Sequence, residues 1–427
     1  MQTDNNKKLP PVNAPQTSPA PRQKPFRALQ NRDFRLLWMG QAISQLGTQM
    51  RIAGIGWQIY LLTHDPLQLG AIGLCRVIPL VAFSLIGGST ADVGDRRKVL
   101  LVAESILMFF SAALAVVTLT GAVNVWWIYA ITILSSATNA FERPSFSALV
   151  PALVPRDQLS SAISLNTLNF QVATVIGPGL GGIIIALVGV QGVYWIDAAS
   201  YVAVILSLVF IHYRPVNRPT TKVSLAAAIE GLQFVWGNKI LISTMLLDFI
   251  ATFFASSRTL LPIFATDVLH SGEIGFGLLS AADSVGAVIT SLVMAWLNPS
   301  RFKHPGVVLL VAVFFFSLFT ILFGFSTVLP LSLFCLFMTG ACDTVSVVLR
   351  QTVSQLVTPD ELRGRMQSVN MIFFAGGPQL GELEAGIVAR LGGAGFSVVT
   401  GGIACALVVV AIATLSPTLR KYHFEKE

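Results

Sequence analysis

Charge is scarce in this sequence of 427 residues. Only 11% are Asp, Glu, Lys or Arg, against roughly 25% in a soluble domain. With 54% hydrophobic residues and a mean hydropathy of +0.71, that shortage excludes an ordinary water-soluble domain. Cysteine is scarce too. Cys75, Cys335, Cys342 and Cys405 all fall in apolar stretches without metal spacing and read as small packing residues. No Gly-x-x-x-x-Gly-Lys-Ser/Thr loop occurs, which argues against ATP-driven work by this chain. His-Glu-x-x-His and Gly-x-Ser-x-Gly are also missing, and the five histidines lie in joints, at span ends or in the tail. An enzyme, a cofactor and a metal site are therefore not expected. The alternating segments of a membrane β-barrel do not appear either. Residues 1–25 hold six prolines and no apolar core. They read as a disordered cytoplasmic tail rather than a cleavable signal peptide.

What fills the chain is about twelve apolar stretches, at 36–62, 69–91, 99–119, 125–147, 160–187, 192–212, 240–268, 275–297, 306–325, 329–350, 367–390 and 396–416. Each is long enough for a helix to cross the hydrocarbon core. The expected fold is an all-α polytopic membrane protein. Its domains are an N-terminal six-helix bundle (26–212), a linker (213–239), a C-terminal six-helix bundle (240–416) and a tail (417–427). In the linker, Leu225, Ile229, Leu232 and Trp236 share one helical face, with Phe234 opposite, which predicts a helix lying along the membrane surface.

Lys and Arg follow joint parity. Of the 28, 22 lie in the two tails or in every second joint: Arg96, Arg97 and Lys98; Arg156; Arg214, Arg218, Lys222 and Lys239; Arg301 and Lys303; Arg363 and Arg365. The intervening joints near Asp65, Asn124, Val190, Glu273 and Thr327 carry none, and the one near Gly392 has only Arg390 beside it. Cytoplasmic loops collect cations, so both termini are expected inside, in the plasma membrane. The net charge of +7 then points to the lipid bilayer as partner rather than to nucleic acid.

The halves repeat. Leu153-Val154 with Asp157 and Leu159 recurs as Leu356-Val357 with Asp360 and Leu362, and Gly177-Pro178-Gly179-Leu180-Gly181 recurs as Gly377-Pro378-Gln379-Leu380-Gly381. Spans four and five thus correspond to ten and eleven. Parallel six-span repeats place a substrate site between the halves.

Five places in the chain carry a family resemblance. Gly88, Asp92, Arg96 and Arg97, between spans two and three, resemble the Gly-x-x-x-Asp-Arg-x-Gly-Arg-Arg signature of the major facilitator superfamily, with Val93 and Asp95 departing from it. Arg143 resembles that superfamily's span-four arginine. Gly177-Pro178-x-x-Gly181-Gly182 resembles the motif of its proton-coupled exporters; Gly377, Pro378 and Gly381 echo it, and these glycines and prolines are expected to give close contact and a bend. The Leu261-Pro-x-Phe…Asp267…Gly275-x-Gly277 run and Gly364-Arg365 are similar to the enterobactin exporter-like branch, which exports siderophores or drugs. The resemblance implies two pseudo-symmetric six-helix bundles and export of a small amphipathic or aromatic solute by proton antiport with alternating access. Alternatives from the same reading are an importer, an uncoupled facilitator, or a receptor or scaffold that no longer transports. A monomer is expected.

A charge at the bilayer centre costs about 2.5–3.5 kcal/mol or more, so each intramembrane ion needs a partner, water or a function. Asp343 leads as proton site, because a carboxylate taken out of water can titrate usefully; Asp248, Glu142, Glu382 and Asp283 follow. Arg76 and Asp283 are repeat-equivalent, and suggest either a pair across the cavity or separate pairs within each half. Asp343 and Arg350, seven residues apart, stand about 10 Å apart and are not expected to pair. Since the superfamily's third and sixth spans stand outside its cavity, Glu104 is expected to pair with the basic loop and Asp197 to be wet at the outer end of its span. Substrate contacts are expected from Gln45, Gln49, Arg76, Arg143, Asn166, Asn169, Asn370 and Phe374, with Trp38, Trp57, Phe170, Phe253, Phe254 and Phe373 as further stacking candidates. For the amides the competing role is bonding between helices. The topology has a direct check: single cysteines in the Arg96 loop and the His64 loop should react with an impermeant thiol reagent from opposite faces of the membrane.

Overall fold

The computed structural model describes residues 26–93, 95–212, 232–255, 257–297, 302–359, 363–415 and 420, with the side chains of 85, 87–93, 156, 355, 363–365, 367–375 and 415 excepted. The tail 1–25, linker residues 213–231 and nearly all of the C-terminal tail lie outside it. So do the side chains of Asp92, Asn370, Phe373 and Phe374.

Twelve long helices follow in order: α1 (Arg32–Thr63), α2 (Pro66–Val93), α3 (Arg96–Leu119), α4 (Val125–Leu153), α5 (Leu159–Val188), α6 (Val190–Phe210), α7 (Lys239–Val268), α8 (Gly272–Leu297), α9 (Pro305–Phe325), α10 (Leu329–Val357), α11 (Arg363–Gly392) and α12 (Ala394–Leu415). No strand occurs among the described residues. Among the described residues, nine of these are long and apolar enough to cross a membrane by length and composition. The other three, α1, α4 and α11, include Arg51, Glu142, Arg143 and Glu382, and polar side chains lower their hydropathy. Only α7 is broken. Its α-helix stops at Phe254, a 3₁₀ turn covers Ser257–Leu260, and a π turn covers Phe264–Val268.

Local chemistry sets the boundaries. Asn124 Oδ1 accepts from Trp127 N at 3.0 Å to start α4, and Asp95 Oδ1 accepts from Arg97 N at 3.1 Å to start α3. α5 joins α6 through Gly189 alone (φ +85°), and α11 joins α12 through Gly393 alone (φ +89°). A one-residue reversal needs a positive φ, which glycine adopts without steric penalty. These two links are repeat-equivalent. In the linker, Val235 is buried with Leu241, Met245 and Met366, and Phe234 packs beside them, while Leu232 and Trp236 are exposed.

The packing pattern repeats with the sequence. α1 rests on α5 and α6, α2 on α4, and α3 on α4 and α6; likewise α7 rests on α11 and α12, α8 on α10, and α9 on α10 and α12. Between the halves the broadest contacts are α2 on α11 and α5 on α8, which are themselves equivalent by the repeat. One apolar core joins the halves through residues such as Trp57, Tyr60, Leu69, Phe264, Phe276 and Ala385. It lies toward the end bearing the uncharged joints. Toward the basic end the cores separate: one holds Phe34, Leu100, Leu149 and Leu208 of the first half, another Leu247, Leu309, Leu349 and Val409 of the second. Among the described residues the halves thus share one core at one end and have separate cores at the other.

Within the second half, a Cβ on Gly286 would lie 2.0 Å from Phe337 O of α10. Gly286→Val should therefore lower the melting temperature by several degrees in detergent, in line with an overpacking cost of about 1–3 kcal/mol.

Candidate functional site

The second half gathers five ions on three helices. Arg350 of α10 is paired with Asp248 of α7, and both side chains are 10% exposed. Arg258, on the 3₁₀ turn of α7, holds Asp283 of α8 at 2.6 Å, with its own side chain 60% exposed. Asp343 of α10 stands within electrostatic reach of all four yet makes no ion pair among the described residues. As expected, it is not bonded to Arg350. Two arginines face three carboxylates, and the odd one is Asp343. The break in α7 contributes here, because it puts Arg258 at an irregular turn rather than on a straight helix face.

The first half holds a different group. Arg51 Nε lies 2.7 Å from Asp197 Oδ2, at 7% and 0% side-chain exposure. Asp197 also accepts from Ser111 Oγ at 2.7 Å and from Thr48 Oγ1 at 3.5 Å. The expectation of a wet Asp197 is overturned. Gly47 lets α1 approach the backbone of Asp197 and the side chain of Ser200, which carries Arg51 over the carboxylate. Two opposite charges in the same half, each otherwise alone, were the available signal. The expected pairing of Glu104 with the basic loop is overturned too. Glu104 is 1% exposed, its Oε2 has no hydrogen-bond partner, and the charges nearest it are Glu142 and Asp197. The loop is engaged elsewhere: Arg96 donates to Ala148 O at 3.1 Å, and Arg97 to Leu208 O at 2.6 Å and Val209 O at 2.9 Å. These carbonyls lie at the C-terminal ends of α4 and α6, where cations are favoured.

Arg76 and Asp283 do not meet. Asp283 stays in its own half with Arg258, while Arg76 crosses to the other half and donates to Glu382 at 3.2 and 3.4 Å. The crossing of α2 on α11 decides this. Cβ atoms on Gly70 and Gly73 would lie 2.4 and 2.0 Å from Glu382 O and Gln379 O, so Glu382 is the carboxylate brought beneath Arg76. Two rim contacts accompany the pair: Tyr60 OH donates to Asp267, and Arg390 lies 3.8 Å from Asp65.

Among the amides, Asn169 donates to Trp38 O at 3.1 Å and Gln49 to Thr174 Oγ1 at 3.0 Å, so both tie α1 to α5. Gln45 and Asn166 are half-buried, and Arg143 is exposed. Trp57 is 1% exposed and stacks on Phe276 at 5.0 Å, a packing role across the halves. The glycine motif works on two faces of α5, which runs unbroken through Pro178. Gly177 and Gly181 abut Gln49 and Met50 of α1; Gly179 and Gly182 abut Ala281 and Gly277 of α8, across the interface. In α11, Gly377 and Gly381 abut Thr252 and Phe253 of α7, with Pro378 inside the same helix.

Comparisons with known proteins agree with this architecture. A family described as "Transmembrane secretion effector" matches residues 23–426. The multidrug efflux pump Tap of Mycolicibacterium fortuitum is 26% identical over 359 residues, covering 81% of this chain and 87% of its own. The enterobactin exporter EntS of Shigella boydii serotype 18 is 27% identical over 393 residues, covering 90% and 94%. Among solved structures, a bacterial homologue of the human lysosomal transporter Spinster, inward-facing and unoccupied, superposes with a TM-score of 0.70 at 16% identity, covering 93% of this chain and 98% of its own. The nucleoside transporter NupG gives 0.68 at 15% identity, covering 92% and 100%. These two share the fold. Matched along nearly its whole length, the chain belongs to the transmembrane secretion effector family, within the exporter-like branch of the major facilitator superfamily.

Proposed function

We propose that this protein exports a small amphipathic or aromatic solute, siderophore-like or drug-like, by proton antiport with alternating access, acting as a monomer in the bacterial inner membrane with both termini cytoplasmic. The relatives support export: one is named for multidrug efflux and one for enterobactin. The cation-rich joints support the orientation. On that orientation the sealed end faces outward and the gap opens to the cytoplasm, where an exported solute must enter.

The observation that carries proton coupling is the charge balance of the second half. Arg350 and Arg258 satisfy Asp248 and Asp283, which leaves Asp343 without an ion-pair partner. An intramembrane carboxylate with no ion-pair partner is by default a candidate ion or proton site; Glu104 is another, but it is 1% exposed, whereas Asp343 is half-buried. In this reading a proton arriving from outside neutralises Asp343 and favours the return of the empty carrier, and its loss to the cytoplasm restores the anion for the next load. Asp248 and Asp283 hold the arginines in place around it. Glu142 and Glu382 have different surroundings: Glu142 is buried beside Glu104, and Glu382 is tied to Arg76. Arg143, Gln45 and Asn166 are the cavity contacts this reading retains. Gln49 and Asn169, bonded within the bundle, serve its framework.

Asp343→Asn should lower pH-gradient-driven accumulation of a fluorescent aromatic cation such as ethidium in everted vesicles on the order of tenfold or more, while counterflow without a gradient persists. Gradient-driven accumulation at the wild-type level in Asp343→Asn would assign proton coupling elsewhere. For the natural cargo, metabolite profiling inside and outside cells with and without the gene should show one solute retained when the gene is absent.

A further inference from the structure

We infer that Arg76 and Glu382 are the latch of the sealed end: their ion pair holds α2 against α11 when that end is closed and separates when it opens. The inference rests on the alternating-access reading and adds to it the interaction that must be made and broken in each cycle.

Three observations single out this pair. It joins opposite halves, whereas Arg51–Asp197, Arg258–Asp283 and Arg350–Asp248 each lie within one half and survive any rigid movement between them. It sits at the closest backbone approach in that crossing, where Cβ atoms on Gly70 and Gly73 would come within 2.4 Å of Glu382 O and 2.0 Å of Gln379 O, and one on Gly386 within 3.0 Å of the opposing backbone. Any opening there pulls the guanidinium from the carboxylate. Finally, both side chains are 20% exposed, against 7% and 0% for Arg51 and Asp197. A partly wetted pair can be hydrated as it parts, so its separation is reversible, whereas a fully desolvated pair has no such compensation. The Asp65–Arg390 contact also spans the halves, but at 3.8 Å and with Arg390 57% exposed it is a weak rim interaction.

The closure on α5 and α8 has another character. There Gly182 meets Gly277 backbone to backbone, and no ion pair joins the two helices among the described residues. The sealed end thus carries its charge lock on one of its two equivalent crossings.

The test reads the sealed end directly and needs no substrate. Spin labels at Leu187 of α5 and Ile274 of α8, both exposed at that end, are placed in the full chain with its four cysteines replaced, in lipid nanodiscs. Electron–electron resonance should give one short distance for the parent. Arg76→Gln and Glu382→Gln should each raise a longer-distance population by about tenfold, and the exchanged pair R76E/E382R should return toward the parent. Gly73→Ala, which wedges the same crossing without altering charge, is the steric control. If it opens the end while neither charge variant does, the latch is overturned. If the exchanged pair stays as open as the single variants, the effect belongs to packing and the latch is again overturned. If Gly73→Ala also leaves the distance unchanged in protein of parental melting temperature, the alternating-access reading is what fails.

Discussion

An ion inside a lipid-embedded protein must find its counter-ion there, and this chain is organised around that requirement. Apolar burial in hydrocarbon has little directionality, since lipid tails are as apolar as leucine. Polar pairing is what fixes one helix against another. Arg51 and Asp197 lock α1 to α6, and Arg350 and Asp248 lock α10 to α7. Removing one member of such a buried pair typically costs about 3–5 kcal/mol, because it strands the other. Among the described residues the balance is incomplete at Asp343 in the second half and at Glu104 in the first.

Shape and chemistry follow different symmetries. The crossings of α2 on α11 and α5 on α8 are related by the repeat and use the same device, glycine against backbone. The charges obey no such rule. The first half holds one arginine and three carboxylates in its buried cluster, the second two arginines and three carboxylates. The two halves thus share a scaffold while their ionisable side chains are arranged differently.

Much of the architecture was legible before any coordinates. The spans stood out because about twenty apolar residues in succession have few other uses, and the glycine-proline echo set the register of the repeat. The paired ions were less legible. A helix's sequence gives the depth of Asp197 but not its azimuth, so nothing in α6 alone distinguishes facing lipid headgroups from facing Arg51. Glu104 misled for a similar reason: sequence proximity suggested Arg96 and Arg97, yet those side chains reach backbone carbonyls at neighbouring helix ends. Arg76 and Asp283 left two readings open, a pair across the cavity or separate pairs within each half, because repeat equivalence speaks of position within each half and says nothing of which helix the other half presents. Only the crossing of α2 on α11 decides that partner.

Gly189 and Gly393 each make a complete connection by themselves, and the other links on that face are only a few residues long. The face they form offers a protease or an antibody almost no free polypeptide to grip. An affinity tag or a fused reporter inserted there would have to break a helix pair, so internal fusions belong on the opposite side, where the long 213–239 stretch and both ends of the chain emerge.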